Sequence, residues 1–416
     1  MGNAWLSAGG APTAAAARRQ QQQQQQQQQA VPVPDFRRCR ALLEQHVAPG
    51  GLAGGVQLSV RAPGGGAHVD LFAGRARTAP RCGAPRGMSA ESVLDWQSTT
   101  KPLAAVAVAL LHERGQLDVF APVARYVPRF ASRGKGAVTL AHLLMHTAGI
   151  PFAAFQLCCE EAAPAWEAVV AACCDERPSN APGERAAYHS FSMGFVLAEV
   201  VERVSGRRFA AFVRDEIFAP LGIDPERCAV GLGDGRLGGG AQEAYERMEP
   251  HLAELVEHER DASANLGFER VAACDPAGGG RAAARELVRV FECLAQGGAP
   301  LLKRETVELF TKARRVGMVD DVQGVECDWT LGFCVDSVLG GGYAPKEAFG
   351  HGGSRSSFAV SDPVNGVAYA YAATWKVASS KEHYERVAAV ADAVYLDLGM
   401  ANEGLTEYRE HALPAY

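Results

Sequence analysis

The sequence predicts an α/β fold of the α+β kind, with one antiparallel sheet assembled from both ends of the chain, flanked by helices and interrupted by a helical subdomain. Three observations point there. Short strand-like runs occur soon after residue 55 and return late, after residue 328. The stretch between, about 98–265, is mainly helical in its periodicity, and the chain opens and closes on amphipathic helical segments.

Taken in order, residues 1–33 read as an Ala/Gln-rich tail. Its ten consecutive glutamines, Gln20 to Gln29, have nothing to bury, so disorder is expected. From residue 34 the texture changes. "DFRRCRALLEQHV" has helical spacing with Asp35 as an N-cap. "GGVQLSVRAPGGGAHVDLFAGRA" reads as a hairpin with a Gly-rich turn, and "SVLDW" as a further short strand. Helices follow at "KPLAAVAVALLHE", "TLAHLLMHTAG", "AWEAVVAACC" and "SMGFVLAEVVERVSG". Residues 231–265, beginning "GLGDGRLGGG", form a long excursion, loop-rich and then helical. "GGRAAARELVRVFECLAQGG" predicts a helix stopped by Gly297 and Gly298. Strands return at "DWTLGFCVD", "SSFAVSDP" and "GVAYAYAATW", with a turn at "DPVNG". "SKEHYERVAAVADAVYLDLG" is the last helix, placing the folded domain at 34–400 and a C-terminal tail at 401–416.

The 416 residues carry a formal net charge of −6 and are 48% hydrophobic, which gives no global attraction to nucleic acid or to an anionic membrane. No apolar run approaches the roughly 20 residues that span a bilayer. The eleven cysteines include two adjacent pairs and no C-x-x-C, which suits thiols in a reducing compartment, so the cytoplasm is expected. The N-terminus has no apolar signal core. Arg18 and Arg19, with no acidic residue before Asp35, leave a mitochondrial or plastid address as the alternative.

Chemistry is suggested first by "QSTTKPLAA". The chain has only seven lysines, and Lys101 follows Ser98 by three residues at the start of a helix apolar almost all round. On one helix the two side chains share a face. A serine hydroxyl needs a neighbouring base, and a lysine becomes one when burial lowers its pKa from about 10.4. Alone, S-x-x-K is weak: Ser132 and Lys135 repeat it in a Gly-containing loop, and Ser98 read by itself is a helix cap. His142 and His146 have a metal-capable i, i+4 spacing, but H-E-x-x-H is absent and they read as structural. "GLGDGRLGGG" is no dinucleotide fingerprint, and no G-x-S-x-G is present for an α/β-hydrolase.

Three further stretches, "LLMHTAGIP", "PGERAAYHSFSMGF" and "FGHGGSRSSFAVSDP", taken with "DWQSTTKPLAA", resemble the penicillin-binding serine hydrolases. The likeness is nearest to the class C β-lactamase-like esterases, the family VIII carboxylesterases and their eukaryotic relatives, over about residues 36–397. The resemblance implies Ser98 as acylated nucleophile, Lys101 as its deprotonating partner and Tyr188 as a proton relay. It implies that His351 stands where lysine is common, and that the backbone N–H groups of Ser98 and Ser354 form an oxyanion hole. Gly352 and Gly353 would let substrate approach the strand, expected at a sheet edge, while Ser190 and Trp329 would line the cleft.

Departures from the pattern bear on substrate. Gln97 replaces a small residue and is expected to crowd the acyl site; Ser190 stands where β-lactamases tend to carry asparagine; Arg355 is expected at the pocket mouth. These features favour ester hydrolysis over antibiotic hydrolysis. The expected function is therefore a serine hydrolase working through an acyl-enzyme on a small-molecule ester, amide or lactam, most simply a carboxylesterase. No metal or organic cofactor is implied, and homo-oligomer formation is open. Acyl transfer and β-lactam hydrolysis are the near alternatives; an inactive interaction or structural protein on the same fold is the distant one.

Overall fold

The computed structural model describes residues 34–63, 68–77, 85–160, 163–233, 235–236, 240–254, 268–335 and 337–401. The two tails, the turn between the first two strands and residues 255–267, including the end of the expected 231–265 excursion, lie outside them.

Strands β1 (Gly55–Arg61) and β2 (His68–Arg77) form the expected antiparallel pair, with Val56 opposite Ala73 and Leu58 opposite Leu71. β1 also pairs with β11 (Val367–Ala373), which joins the two ends of the chain in one sheet. β3 (Arg86–Gly87) lies beyond β2. On the other side follow β10 (Ser357–Asp362), β9 (Phe349–Gly353), β8 (Cys334–Val335) and β7 (Asp328–Trp329), giving the order β3-β2-β1-β11-β10-β9-β8-β7. The expected strand "DWTLGFCVD" is thus two strands joined by a tight turn, in which Thr330 N–H donates to Phe333 O at 2.9 Å and Phe333 N–H donates to Thr330 Oγ1 at 3.2 Å. A second sheet, β4 (Leu94–Asp95), β6 (Gly280–Ala282) and β5 (Cys228–Val230), takes in "SVLDW" and the first residues of "GGRAAARELV", so the helix expected there begins only at Ala284.

Two-residue side-chain alternation separates the faces of the large sheet. Val56, Leu58, Val60, Phe358, Val360, Tyr369 and Tyr371 pack beneath the terminal helices α1 (Arg37–Val47) and α5 (Ser380–Asp397). The opposite face carries Ala359, Ala368, Ala370 and Ala372, small enough for α4 (Ala284–Ala295) to lie close. Phe36, not Asp35, occupies the cap position of α1, in the left-handed region at φ 50° and without a side-chain cap bond. Ser379 caps α5 by accepting from Glu382 N–H at 3.2 Å.

Within the helical region, α2 (Lys101–Glu113) is buried from Lys101 to Leu111, as its apolar run requires, and packs on α3 (Ser192–Ser205). Pro102 sits in the first turn, where no helical N–H is lost. Gly194 of α3 faces the Ala277 backbone: a Cβ there would lie 2.8 Å from Ala277 Cα, so the glycine lets the 275–279 loop close on the helix. No helix among the described residues is long and apolar enough to cross a membrane.

Candidate active site

Ser98 lies on a 3₁₀ turn, Gln97–Thr100, rather than on α2 itself, and Lys101 is the first residue of α2. The expectation of one shared α-helix is corrected in that detail, and the chemistry gains from it. A 3₁₀ turn has three residues per revolution, so positions i and i+3 eclipse. Lys101 N–H bonds to Ser98 O across the turn. Lys101 Nζ donates to Ser98 Oγ at 2.9 Å and to Ala277 O at 2.7 Å.

Lys101 is fully buried. Burial is the main cause that lowers its pKa to about 7, with the Asp275 carboxylate pulling it back up. Asp275 is itself occupied by the backbone N–H groups of Ala277 and Gly278 at 2.9 and 3.0 Å, which shape the loop that offers Ala277 O to the lysine.

Tyr188 comes from the segment before α3. Burial pushes its phenol well above the usual range, and a hydrogen bond with the Ser98 side chain acts against that. Its ring centroid is 5.2 Å from Lys101 Nζ. The structure therefore brings the three side chains 98, 101 and 188 together.

Three consecutive amides set this tyrosine. Ala187 N–H donates to His146 O at 3.0 Å, Tyr188 N–H to Asp320 Oδ1 at 2.9 Å, and His189 N–H to His146 Nδ1 at 3.0 Å. Asp320 is paired with Arg315 at 3.1 Å, with both side chains at most 1% exposed. Arg315 also donates to Met145 O and Cys327 O, and its backbone pairs with Trp329. One buried ion pair thus ties together the loops bearing His146, Tyr188 and Trp329. None of His146, Arg315 and Asp320 was recognised from sequence as shaping the site. "LLMHTAGIP" is the one signal available: it carries part of the family resemblance, but His146 within it reads as structural, and the other two lie in stretches without motif.

His142 and His146 have separate partners at Nδ1. His142 Nδ1 accepts from Thr139 N–H in a capping box, and His146 Nδ1 accepts from His189. His189 is fully used: its Nε2 accepts from Ile150 N–H at 3.1 Å and its Nδ1 donates to Ala187 O. Ser190, just beyond, is half-buried.

His351 is buried on β9, its ring 6.2 Å from that of Tyr188 and 5.5 Å from that of Trp329. Burial, then Lys101, lowers its pKa to about 3 against a raising bond to Gly352 O, so the imidazole is neutral. β9 is not an edge strand throughout. β8 pairs with Phe349 and Gly350, and that pairing ends before His351.

The glycines also differ from expectation. A Cβ on Gly353 would stand 2.8 Å from Thr99 Oγ1 and closer still to Ser357 Oγ and Trp96 O, so Gly353 serves contact between β9 and the Ser98 turn. A Cβ on Gly352 would meet nothing nearer than Leu339 Cδ2 at 3.8 Å. Ser354 follows, exposed, in the turn leaving β9.

Gln97, at φ 47°, is tied back by its side chain: Nε2 and the backbone N–H both donate to Asp95 Oδ1, at 2.7 and 2.9 Å. Asp95 in turn pairs with Arg281 at 2.5 Å in the buried interior. The amide is thus engaged with Asp95 instead of crowding the serine. Arg355 donates to Ala378 O at 2.7 Å, at the approach to α5, instead of standing loose at a pocket mouth. In the second S-x-x-K, Lys135 Nζ donates to the carbonyl oxygens of Ser132, Cys174 and Glu176, a lysine spent on backbone.

A half-buried serine hydroxyl bonded to a buried lysine and to a tyrosine lies at the junction of an antiparallel sheet and a helical region, and the fold defines the class: β-lactamase-like. The chain belongs to the β-lactamase family, whose pattern matches residues 40–392. It is 28% identical over 321 residues to the esterase/β-lactamase LipL of Mycobacterium tuberculosis, covering 68% of this chain and 69% of that protein. It is 30% identical over 227 residues to the esterase EstB of Burkholderia gladioli, covering 48% of this chain and 55% of EstB. Among solved structures, a penicillin-binding protein homologue from Caulobacter crescentus superposes with a TM-score of 0.72 at 28% identity, covering 88% of this chain and 98% of that one. A family VIII carboxylesterase shares the fold at a TM-score of 0.71 and 24% identity, with the same coverage.

Proposed function

We propose that the protein is a serine hydrolase acting through an acyl-enzyme, and specifically a carboxylesterase. The observation that carries this reading is the 2.9 Å contact between Ser98 Oγ and the Nζ of a fully buried lysine. With a pKa near 7, Lys101 is neutral in a large fraction of molecules at physiological pH and can take the Ser98 proton. Tyr188, raised above the ordinary phenol range, stays protonated and is suited to giving its proton to the leaving oxygen.

In acylation Ser98 Oγ bonds to the ester carbonyl carbon while its proton passes to Lys101. The backbone N–H groups of Ser98 and Ser354 hold the oxyanion, each contributing on the order of 3 kcal/mol. The tetrahedral species collapses as the alcohol leaves with the Tyr188 proton, which Lys101 restores. Water then repeats the sequence on the acyl-enzyme, returning the acid and free Ser98. All of these groups belong to the chain itself. Ser190, His351, Gly352 and Trp329 would line the pocket.

LipL, an esterase/β-lactamase by name, is compatible with either substrate, but the name of the esterase EstB supports an ester over a lactam. So does a neutral His351, which offers no positive charge to a substrate carboxylate. Thiols such as Cys173, Cys174, Cys228 and Cys293, buried and outside any disulfide, favour a reducing compartment such as the cytoplasm. The test is hydrolysis of a short-chain p-nitrophenyl ester by wild type, Ser98→Ala, Lys101→Ala and Tyr188→Phe. Turnover is expected to vanish in the two alanine variants and to fall in the third. A folded wild type without turnover, or an active Ser98→Ala, would overturn the reading.

A further inference from the structure

Four rings meet beside Ser98. His146 lies 4.5 Å from Tyr188 and 4.4 Å from Trp329, and Trp329 lies 5.5 Å from His351, centroid to centroid. Three nitrogens of this cluster, His146 Nε2, Trp329 Nε1 and His351 Nε2, are buried and have no hydrogen-bond partner among the described residues. Buried polar atoms in folded proteins are nearly always satisfied, so three in one cluster mark a place that holds something polar.

The second nitrogen of each imidazole fixes what the first can do. His146 Nδ1 accepts from His189 N–H, so a neutral ring carries its proton on Nε2, which is a donor. His351 Nδ1 lies 2.7 Å from Gly352 O, an atom that only accepts. The His351 proton is therefore on Nδ1, and Nε2 is a bare acceptor. Burial keeps both rings neutral by depressing their pKa values, and for His146 the nearby His189, Arg315, Lys101 and His351 add to the effect. Trp329 Nε1–H is a donor by constitution. The cluster thus offers two donors and one acceptor.

A hydroxyl oxygen, with two lone pairs and one proton, complements that set. A carboxylate has no proton for His351 Nε2, an ammonium has no lone pair for the two donors, and a carbonyl leaves His351 unmet. We propose that His146, Trp329 and His351 form a subsite for a neutral hydroxyl, which seats the acyl acceptor, water or a small alcohol, against Tyr188. The proposal rests on the acyl-enzyme reading above and extends it to acyl transfer. In the transfer step the alcohol oxygen gives up one of its two accepted bonds, and the lone pair so freed bonds to the acyl carbon. The bond from that carbon to Ser98 Oγ breaks, the alcohol proton turns from His351 Nε2 to the Lys101–Tyr188 pair, and a proton from that pair returns to Ser98.

The experiment uses the full chain, p-nitrophenyl butyrate as donor and 1-butanol as acceptor, with butyl butyrate formation followed against butanol concentration. Wild type is expected to saturate in butanol. Trp329→Phe, which keeps an aromatic ring and removes one N–H, is expected to raise the half-saturating butanol concentration about fivefold, read against the same variant's own nitrophenol release. His351→Leu, which removes the acceptor, is expected to act in the same direction and carries the test if Trp329→Phe does not fold. Acetate at equal concentration is expected not to compete with butanol. Transfer that stays linear in butanol, unchanged half-saturation in the variants, or competition by acetate would overturn the subsite while leaving the esterase standing. A folded wild type that releases no nitrophenol at all would overturn both.

Discussion

Gly353→Ala tests whether the site depends on the seating of β9 against the Ser98 turn. The added Cβ would lie 2.8 Å from Thr99 Oγ1 and nearer still to Ser357 Oγ and the Trp96 carbonyl, where ordinary contact begins at 3.4 Å. Relief needs at least 3.4 − 2.8 = 0.6 Å at one atom and more at the others. Two of the obstructing residues, Trp96 and Thr99, flank Ser98 itself. Overpacking of this kind costs about 1–3 kcal/mol, and a misplacement near 1 Å at reacting groups costs about 100-fold in rate. Thermal unfolding and kcat/KM on a p-nitrophenyl ester should therefore both fall, with the rate down roughly 10- to 100-fold. Gly352→Ala, whose Cβ has 3.8 Å of clearance, is the matched control and should change stability by less than about 1 kcal/mol. Equal behaviour of the two variants would refute the reasoning.

Other consequences can be checked separately. Because Lys101 must be neutral to accept the serine proton, kcat/KM should rise with pH through about 7 and level off above it. Its folded pKa lies below the unfolded value of 10.5, so the unfolded chain binds more protons between the two. Stability contributed by this group accordingly increases as pH rises from about 7 towards 10.5 and is lowest below 7. Lys101→Met should then be inactive yet at least as stable as wild type at pH 6; a large loss of stability there would contradict the burial argument. Arg315→Met leaves Asp320 buried without its partner and should cost about 3–5 kcal/mol, measured by urea unfolding, while a wild-type midpoint would refute the role of the pair.

What the sequence made legible was mostly local. Ser98 and Lys101 are joined by spacing alone, and the apolar run of α2 announces the burial that lowers the lysine. The β1–β2 hairpin and α5 were readable from periodicity because each is long enough to repeat its pattern. β4, and β7 with β8, fall within the runs "SVLDW" and "DWTLGFCVD" that read as strand, but β5 and β6 span only three residues each, too few for a period, and exist because distant partners satisfy their backbone. The supports of Tyr188 were hidden for the same reason. Asp320 reaches it across 132 residues, and His146 reaches the next residue, His189, across 43. Gly353 was legible as a special residue, but its purpose depended on which segment lies opposite, which only the packing of β9 reveals.

The most direct test is to map the adduct of a fluorophosphonate by mass spectrometry while following its rate of formation from pH 5 to 9. A single adduct at Ser98, forming half-maximally near pH 7 and absent from Lys101→Met, is the expected result. Modification at Ser132, or a rate at Ser98 indifferent to pH across that range, would contradict activation of the serine by its buried amine.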